Sequence, residues 1–202
     1  FGNVGTISTP TDGSVTANKI GTGSVTSAKI NYPLTTFSST GIDDNATNTS
    51  IKIDANGHVT MPYQPAFSAK VTTQQNNIAV AGFTTVLFAT ELYDQNSDYN
   101  NSTYTFTAPV TGKYQLNLLL LMTSVDSTAT YYLSQIVTSN RTYYHLHDPR
   151  GYDTDIVYHN LDTSVLADMD AGDTAIVQIY QSTGTAQTDI DAESYFTGHL
   201  VC

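Results

Sequence analysis

The run TYTFTAPVTGKYQLNLLLLMT, residues 103–123, carries the signals that decide the fold. Threonine alternates with aromatic residues over 103–107, and this period of two is typical of a β-strand with one face buried. Pro109 and Gly112 interrupt the pattern, which predicts a turn before a second strand. The run therefore predicts two consecutive strands of a β-sheet.

The second of these strands is predicted over residues 113–123. One of its faces is apolar and carries Tyr114, Leu116, Leu118 and Leu120. Leu119 and Leu121 lie on the opposite face, so the middle of this strand is predicted to be buried on both sides.

Similar short apolar or alternating runs, separated by turn residues, continue in both directions along the chain. They predict strands at 66–71, 86–88, 131–138, 142–147, 164–169, 175–180 and 195–201, with a polar loop at 94–102. No long stretch has the period of 3.6 residues that is typical of helices. The predicted fold class is therefore all-β, with an antiparallel jelly-roll sandwich over residues 65–202.

The composition limits the function. The 202 residues include only 12% charged residues, against about 25% in ordinary globular chains, and 40% hydrophobic residues that include 14 Tyr and no Trp. The net charge of −11 argues against nucleic-acid partners and against an anionic membrane surface. No apolar run approaches the 18 residues of a spanning helix, so membrane insertion is not expected.

Residues 1–64 have a different pattern. The octapeptides GSVTANKI, residues 13–20, and GSVTSAKI, residues 23–30, form a short repeat with only two large apolar residues per copy. Such a copy cannot bury a core alone. We expect three chains to wrap around one axis, with a shaft core of Val15, Ile20, Val25 and Ile30.

A β-hairpin is predicted between this repeat and the head. Residues 50–54 and 58–61 alternate, and the Asn56-Gly57 pair between them is a strong turn signal. Pro62 and Pro65 then end the pairing. The predicted domains are a fibrous shaft or attachment segment over 1–64 and a head over 65–202.

Three short runs of the head carry a family likeness: the opening AFSAK at 66–70, Gly172-Asp173 after a strand, and the closing SYFTGHLV at 194–201. On these runs the head resembles the complement/tumour-necrosis-factor jelly roll, the fold of the globular head of complement component one, subcomponent q. Between them, the family's Tyr, Phe, Pro, Gly, Tyr order is matched by Tyr99, Phe106, Pro109, Gly112 and Tyr114. The resemblance implies a homotrimer; residues 124–160 depart from the family pattern.

The front of the chain resembles the shaft segments of bacteriophage tail fibres, on the two octapeptides and on the SIKID and Gly57 of the hairpin. Together the two resemblances imply a trimeric virion fibre or receptor-binding protein, extracellular after release. Its shaft would contact other virion proteins, and its head would bind a host-surface glycan or protein.

Receptor contacts are expected after residue 142. Adjacent tyrosines on a strand face opposite sides, so one ring of each pair, Tyr131-Tyr132 and Tyr143-Tyr144, packs inward while the other can meet a sugar face. Core or trimer-interface packing remains the alternative for both pairs. The predicted receptor-binding residues are Tyr143, Tyr144, Asp148, Arg150, Tyr152, Asp153 and Asp155.

A divalent metal ion is considered at two places. His145 and His147 lie on one strand face, and three copies around an axis would gather six imidazole nitrogens. Asp148, Asp153 and Asp155 form an acidic loop, although their spacing does not match an EF-hand. Ordinary exposed histidines and a solvated loop are the alternatives.

No nucleophile elbow, phosphate-binding loop or zinc-protease motif occurs, so an enzyme is not expected. Two other functions remain open: a purely structural virion protein without host binding, and a secreted recognition module of the complement-head type. The single Cys202 cannot form an internal disulfide. Because the chain starts with Phe1 rather than Met, we expect a processed product or a fragment.

Overall fold

The computed structural model describes Ile20, Gly21 and residues 47–202. Val15, Val25 and Ile30 of the predicted shaft core lie outside these residues, and Ile20 is exposed. Residues Asn48–Cys202 form one compact unit. The division at 64/65 stays a prediction. In the part of the chain that is described, no helix is both long and apolar enough to cross a membrane.

The regular structure of the described residues is almost entirely β, and the one helical element is a 3₁₀ turn at Pro149–Gly151. The strands are β1 (Lys52–Ile53), β2 (Val59–Thr60), β3 (Ala66–Lys70), β4 (Phe83–Thr85), β5 (Thr90–Asp94), β6 (Tyr99–Asn100), β7 (Thr105–Thr107), β8 (Gly112–Leu119), β9 (Leu121–Val125), β10 (Tyr132–Thr138), β11 (Thr142–His147), β12 (Ile156–Asn160), β13 (Thr163–Met169), β14 (Thr174–Gln181), β15 (Asp189–Ile190) and β16 (Tyr195–Leu200).

Two antiparallel layers build the sandwich. One has the order β11-β10-β14-β7-β6, with β4 also paired to β14. The other has the order β13-β8-β16-β3-β5. This layer is interrupted at Leu120, between β8 and β9, and the set β12-β9-β15 continues it beyond that residue. At the interruption, the Leu161 backbone N–H still donates to the Leu120 carbonyl at 2.9 Å. The predicted all-β antiparallel jelly roll is confirmed.

The core is centred on Phe67 of β3, which joins the two layers. Its ring stacks on Phe106 with centroids 4.7 Å apart and on Tyr99 at 5.0 Å, and it meets the edge of Phe196 at 5.1 Å. All four side chains are buried. Stacked and edge-to-face pairs of this kind add to the stabilisation from area burial alone.

The buried tyrosine hydroxyls have hydrogen-bond partners. Tyr99 donates to the Phe88 carbonyl at 2.9 Å and Tyr114 to the Val110 carbonyl at 2.7 Å. The Tyr132 hydroxyl lies 2.7 Å from the Thr188 hydroxyl and accepts a bond from the Asp126 N–H. Since unpaired buried polar groups are costly, these bonds explain how tyrosines can serve as core residues.

Several strand predictions need correction. The strand expected at 86–88 is wrong, since β4 lies just before it at 83–85, and the loop expected at 94–102 contains β6. β5 and β12 were not predicted. Both are edge strands whose side chains are mostly exposed, so their sequences need no alternation of apolar and polar residues.

The expectation that β8 is buried on both faces is also wrong. Leu116, Leu118 and Leu120 point into the core, but Leu119 is 40% exposed and Leu121 is only half-buried. The other outward residues of β8, Lys113, Gln115 and Asn117, are polar and half-buried. Leu119 is therefore the one large apolar side chain that this face of β8 leaves exposed.

Replacing Gly198 by alanine is expected to destabilise the sandwich. Gly198 of β16 lies opposite both Phe67 and Leu116, and an added Cβ would lie 2.6 Å from a Phe67 ring carbon and 2.8 Å from a Leu116 methyl. Because both side chains are fixed in the core, Gly198→Ala should cost about 1–3 kcal/mol of unfolding free energy. Urea denaturation measures the loss.

Gly82→Ala is the matched control, since a Cβ there has no atom within 4 Å. If the two variants are equally stable, the close approach of Phe67 to the β16 backbone does not exclude a side chain at position 198.

Candidate functional site

Two edge strands, β11 of one layer and β13 of the other, lie in contact on the same side of the sandwich. Between them runs a groove of about 620 Å³, a volume typical of small-ligand sites. Its main lining residues are Tyr143, Tyr144, His145, Asp162, Thr163 and Ser164. The groove thus brings together Tyr143 and Tyr144, which are predicted receptor-binding residues, and His145, which is a predicted metal ligand.

The two tyrosines of β11 point in different directions. Tyr143 is half-buried and packs against the core, whereas Tyr144 is 66% exposed. The other pair behaves similarly: Tyr132 is buried, and the half-buried Tyr131 stacks on Tyr180 at 5.9 Å. The prediction that one member of each pair packs inward is confirmed, and Tyr144 is the ring that a sugar face can approach.

The opposite wall of the groove is polar. The Ser164 hydroxyl donates to the Asn117 side-chain oxygen at 2.8 Å and accepts a bond from the Gln115 amide at 2.9 Å. The Thr163 hydroxyl is buried and has no partner among the described residues. Asp162 is exposed and leaves its carboxylate available, while its backbone carbonyl bonds to the His145 ring at 3.0 Å.

A second concavity, of about 450 Å³, shares Asp162, Thr163 and Ser164 with the groove. It continues over β13 onto the outer face of the five-stranded layer, where Leu119 and Tyr195 line it. The exposed residues Asp162 and Ser164 therefore border both concavities.

The loop that follows β11 contains a preformed ion pair. Asp148 accepts the Arg150 backbone N–H at 3.0 Å and two guanidinium bonds, at 2.9 Å from Nε and 2.6 Å from Nη2. These hydrogen bonds lower the pKa of Asp148 to about 2. Both side chains remain exposed, so the pair fixes the shape of the loop and presents a bidentate donor group to solvent.

The remaining predicted contact residues do not join one site. Tyr152 lies near the His147 ring, with centroids 6.1 Å apart, and Asp153 is exposed in the loop. Asp155 accepts bonds from the Ser127 N–H at 2.9 Å and the Gln187 amide at 2.7 Å. It lines a separate concavity with Ser124 and Gln187.

A stacked histidine pair lies where β11 meets β12. The rings of His147 and His159 have centroids 3.8 Å apart, and Nε2 of His147 is buried with no partner in the described part of the chain. Burial lowers the pKa of His147, and the charges of His159 and His145 lower it further. Burial and His145 likewise lower the pKa of His159. The neutral rings are therefore the favoured form.

The described residues contain no group of three or more His, Cys, Asp or Glu side chains placed to hold a metal ion. His145 and His147 do share one face of β11, as the sequence predicts, but His145 bonds to a carbonyl and His147 stacks on His159. In the loop, Asp148 is paired with Arg150 and Asp155 with Ser127 and Gln187. Metal on a threefold axis stays a prediction, because it requires further copies of the chain.

Sequence reasoning missed Arg141, His159, Asp162 and Ser164, which line the groove or adjoin it. His159, Asp162 and Ser164 come from β12, β13 and their connection, far from β11 in the chain. No local motif marks these residues, since only the meeting of two sheet edges brings them to β11.

The comparisons with known proteins agree with this architecture. A sequence profile described as the C1q domain matches residues 66–201. Murine APRIL at pH 8.5 shares the fold, with a TM-score of 0.50 at 9% identity over 68% of this chain and 99% of that one. The globular domain of the zebrafish complement 1qA protein gives 0.49 at 17% identity over 69% and 98%. No curated protein matches the chain.

The histidine pair predicts a loss of stability in mild acid. Both histidines have a folded-state pKa below that of the unfolded chain, so the unfolded state binds protons first as the pH falls. The free energy of unfolding should therefore decrease below about pH 6.5 and level off once the folded-state pKa values are passed.

Thermal unfolding at fixed protein concentration between pH 7.5 and 5 measures this dependence. His147→Gln should flatten it, and substitution of the exposed His199 of β16, His199→Gln, should leave it unchanged. If the thermal stability of the two variants depends on pH equally, the histidine pair is not the cause of the dependence.

Proposed function

Because the chain belongs to the C1q domain family, we propose that three copies assemble around one axis and that the heads bind a host-surface ligand. Domains of this family form trimers and bind ligands. The observation that carries the proposal is a sandwich with two features left open: exposed large apolar side chains on its outer face and edge strands, and a polar groove with an exposed tyrosine.

The apolar surface supports assembly. Leu119 of β8 and Leu166 of β13 are exposed among polar residues on one outer face, and Leu146, Val157 and Tyr158 are exposed on the edge strands β11 and β12. Burial of exposed large apolar side chains between copies is favourable. Three copies that cover these residues would gain hydrophobic burial that one chain cannot achieve.

The groove supports a neutral glycan as the ligand. Tyr144 offers a ring for the C–H face of a sugar, and the exposed Asp162 and Ser164 offer hydrogen-bonding groups for its hydroxyls. The net charge of −11 disfavours a strongly anionic polymer. Three weak sites on one particle would bind a cell surface through avidity.

The proposed setting is the virion of a bacteriophage, with residues 1–64 as shaft and attachment to other virion proteins. The support is the octapeptide repeat and its resemblance to tail-fibre shafts. The proposed role is binding rather than catalysis, so no turnover of host capsule polysaccharide is expected.

Removal of the exposed ring of Tyr144 should weaken ligand binding without changing assembly. Aromatic contacts contribute about 1.5 kcal/mol, so Tyr144→Ala should reduce binding to a glycan array and to host cells at least about tenfold. Tyr93→Ala is the matched control: Tyr93 is 55% exposed on β5, at the edge of its sheet opposite to β13.

Analytical ultracentrifugation should show a particle of three times the chain mass for the wild type and for both variants. A folded single-chain species would refute the assembly. A trimer that binds neither glycans nor host cells would instead favour a purely structural virion protein.

A further inference from the structure

The hairpin β1–β2 stands apart from the sandwich as a two-stranded sheet of its own. Lys52 pairs with Thr60 and Ile53 with Val59. Its turn is fixed by the Asp54 carboxylate, which accepts the His58 N–H at 2.9 Å, and by Gly57, whose φ of +84° suits glycine. The register of the hairpin is therefore well specified.

This register puts all the large apolar side chains of the hairpin on one face. Paired residues lie on the same face and alternate residues share it, so Ile53 and Val59 are joined by Ile51 and Met61. Their exposed fractions are 67%, 60%, 62% and 50%, and none of them is covered by another described residue. The opposite face carries Lys52 and Thr60.

A hairpin with a bare apolar face is not stable by itself. Isolated two-stranded hairpins are marginal in water and need a further layer on their apolar side. An exposed group of four large apolar side chains is also an aggregation hazard unless a partner covers it. The hairpin therefore requires a covering surface.

The connection to β3 holds the hairpin at a defined place on the head. The Gln95 amide donates to the Met61 carbonyl at 2.7 Å, and the Asn96 amide to the Tyr63 carbonyl at 2.9 Å. The Gln64 amide donates to the Leu200 carbonyl at 3.0 Å. Every copy in a symmetric assembly would thus present its hairpin in the same position.

We infer that the apolar faces of three hairpins, one from each copy, pack against one another as a collar next to the heads. This inference rests on the proposed trimer. Twelve large apolar side chains would meet, and the covered area, on the order of 1,000 Å² over the three contacts, would add to the interface between the heads. The positive charge of Lys52 offsets the negative charge of Asp54. The hairpins of different copies therefore lack the electrostatic repulsion expected between chains of net charge −11.

Disulfide trapping in the full chain tests the collar. In a Cys202→Ser background, Ile53→Cys should form interchain disulfides under mild oxidation, and the matched Lys52→Cys on the opposite face should not. Val59→Cys, on the same face as Ile53, should repeat the result. Because one thiol in three stays unpaired, the expected product is a cross-linked dimer plus a single chain on a denaturing gel.

Two results would overturn the collar. If the thiol of the Ile53→Cys variant reacts freely with an alkylating reagent and does not cross-link, the apolar face is uncovered. If that thiol is protected from alkylation without cross-linking, another element covers it, such as the chain's own front segment. The mass of the reduced wild-type protein separates the two proposals. If the wild type is a trimer and the Ile53→Cys variant does not cross-link, only the collar is refuted. A folded wild-type monomer refutes the trimer itself.

Discussion

The contact of Phe67 with both layers is the interaction on which the rest of the structure depends. Its ring stacks on Phe106 and Tyr99 of one layer while its own strand pairs with β16 of the other. This requires a glycine at Gly198, because any side chain there would occupy the space of the ring. With the centre of the sandwich fixed in this way, the edge strands β11 and β13 contribute little to the central packing and border an open groove instead.

A second constraint is that one chain has more apolar surface than it can bury. Leu119 and Leu166 on the outer sheet face and Ile53 and Val59 on the hairpin are exposed, although they alternate with polar residues as core positions do. In a protein with 12% charged residues, such surfaces would promote indiscriminate association. The proposed symmetric assembly would cover both surfaces at once, and the net charge of −11 would oppose further association between finished particles.

Local signals in the sequence predicted those parts of the fold whose causes are local. The Asn56-Gly57 turn predicted the hairpin, and alternation predicted β8 and the inward and outward tyrosines of β11. The prediction that Leu119 is buried was wrong, since an apolar run does not show which of its faces the rest of the chain covers. The edge strands β5 and β12 and the pair His147–His159 escaped prediction because exposed edges need no pattern and because the two histidines lie on different strands.

The position of the histidine pair connects the stability of the head with its groove. His147 ends the same strand that begins with Thr142 and carries Tyr143 and Tyr144, and His159 lies just before Asp162, which forms the other wall. Protonation of His147 places a charge beside a buried, unpartnered nitrogen and against the stacked ring of His159, and so weakens the junction between β11 and β12. Because the groove consists of two sheet edges with no pairing between them, its shape depends on contacts of this kind more than on backbone hydrogen bonds. The geometry of the groove is therefore held by side chains at its rim, whereas the core determines only that the two edges meet.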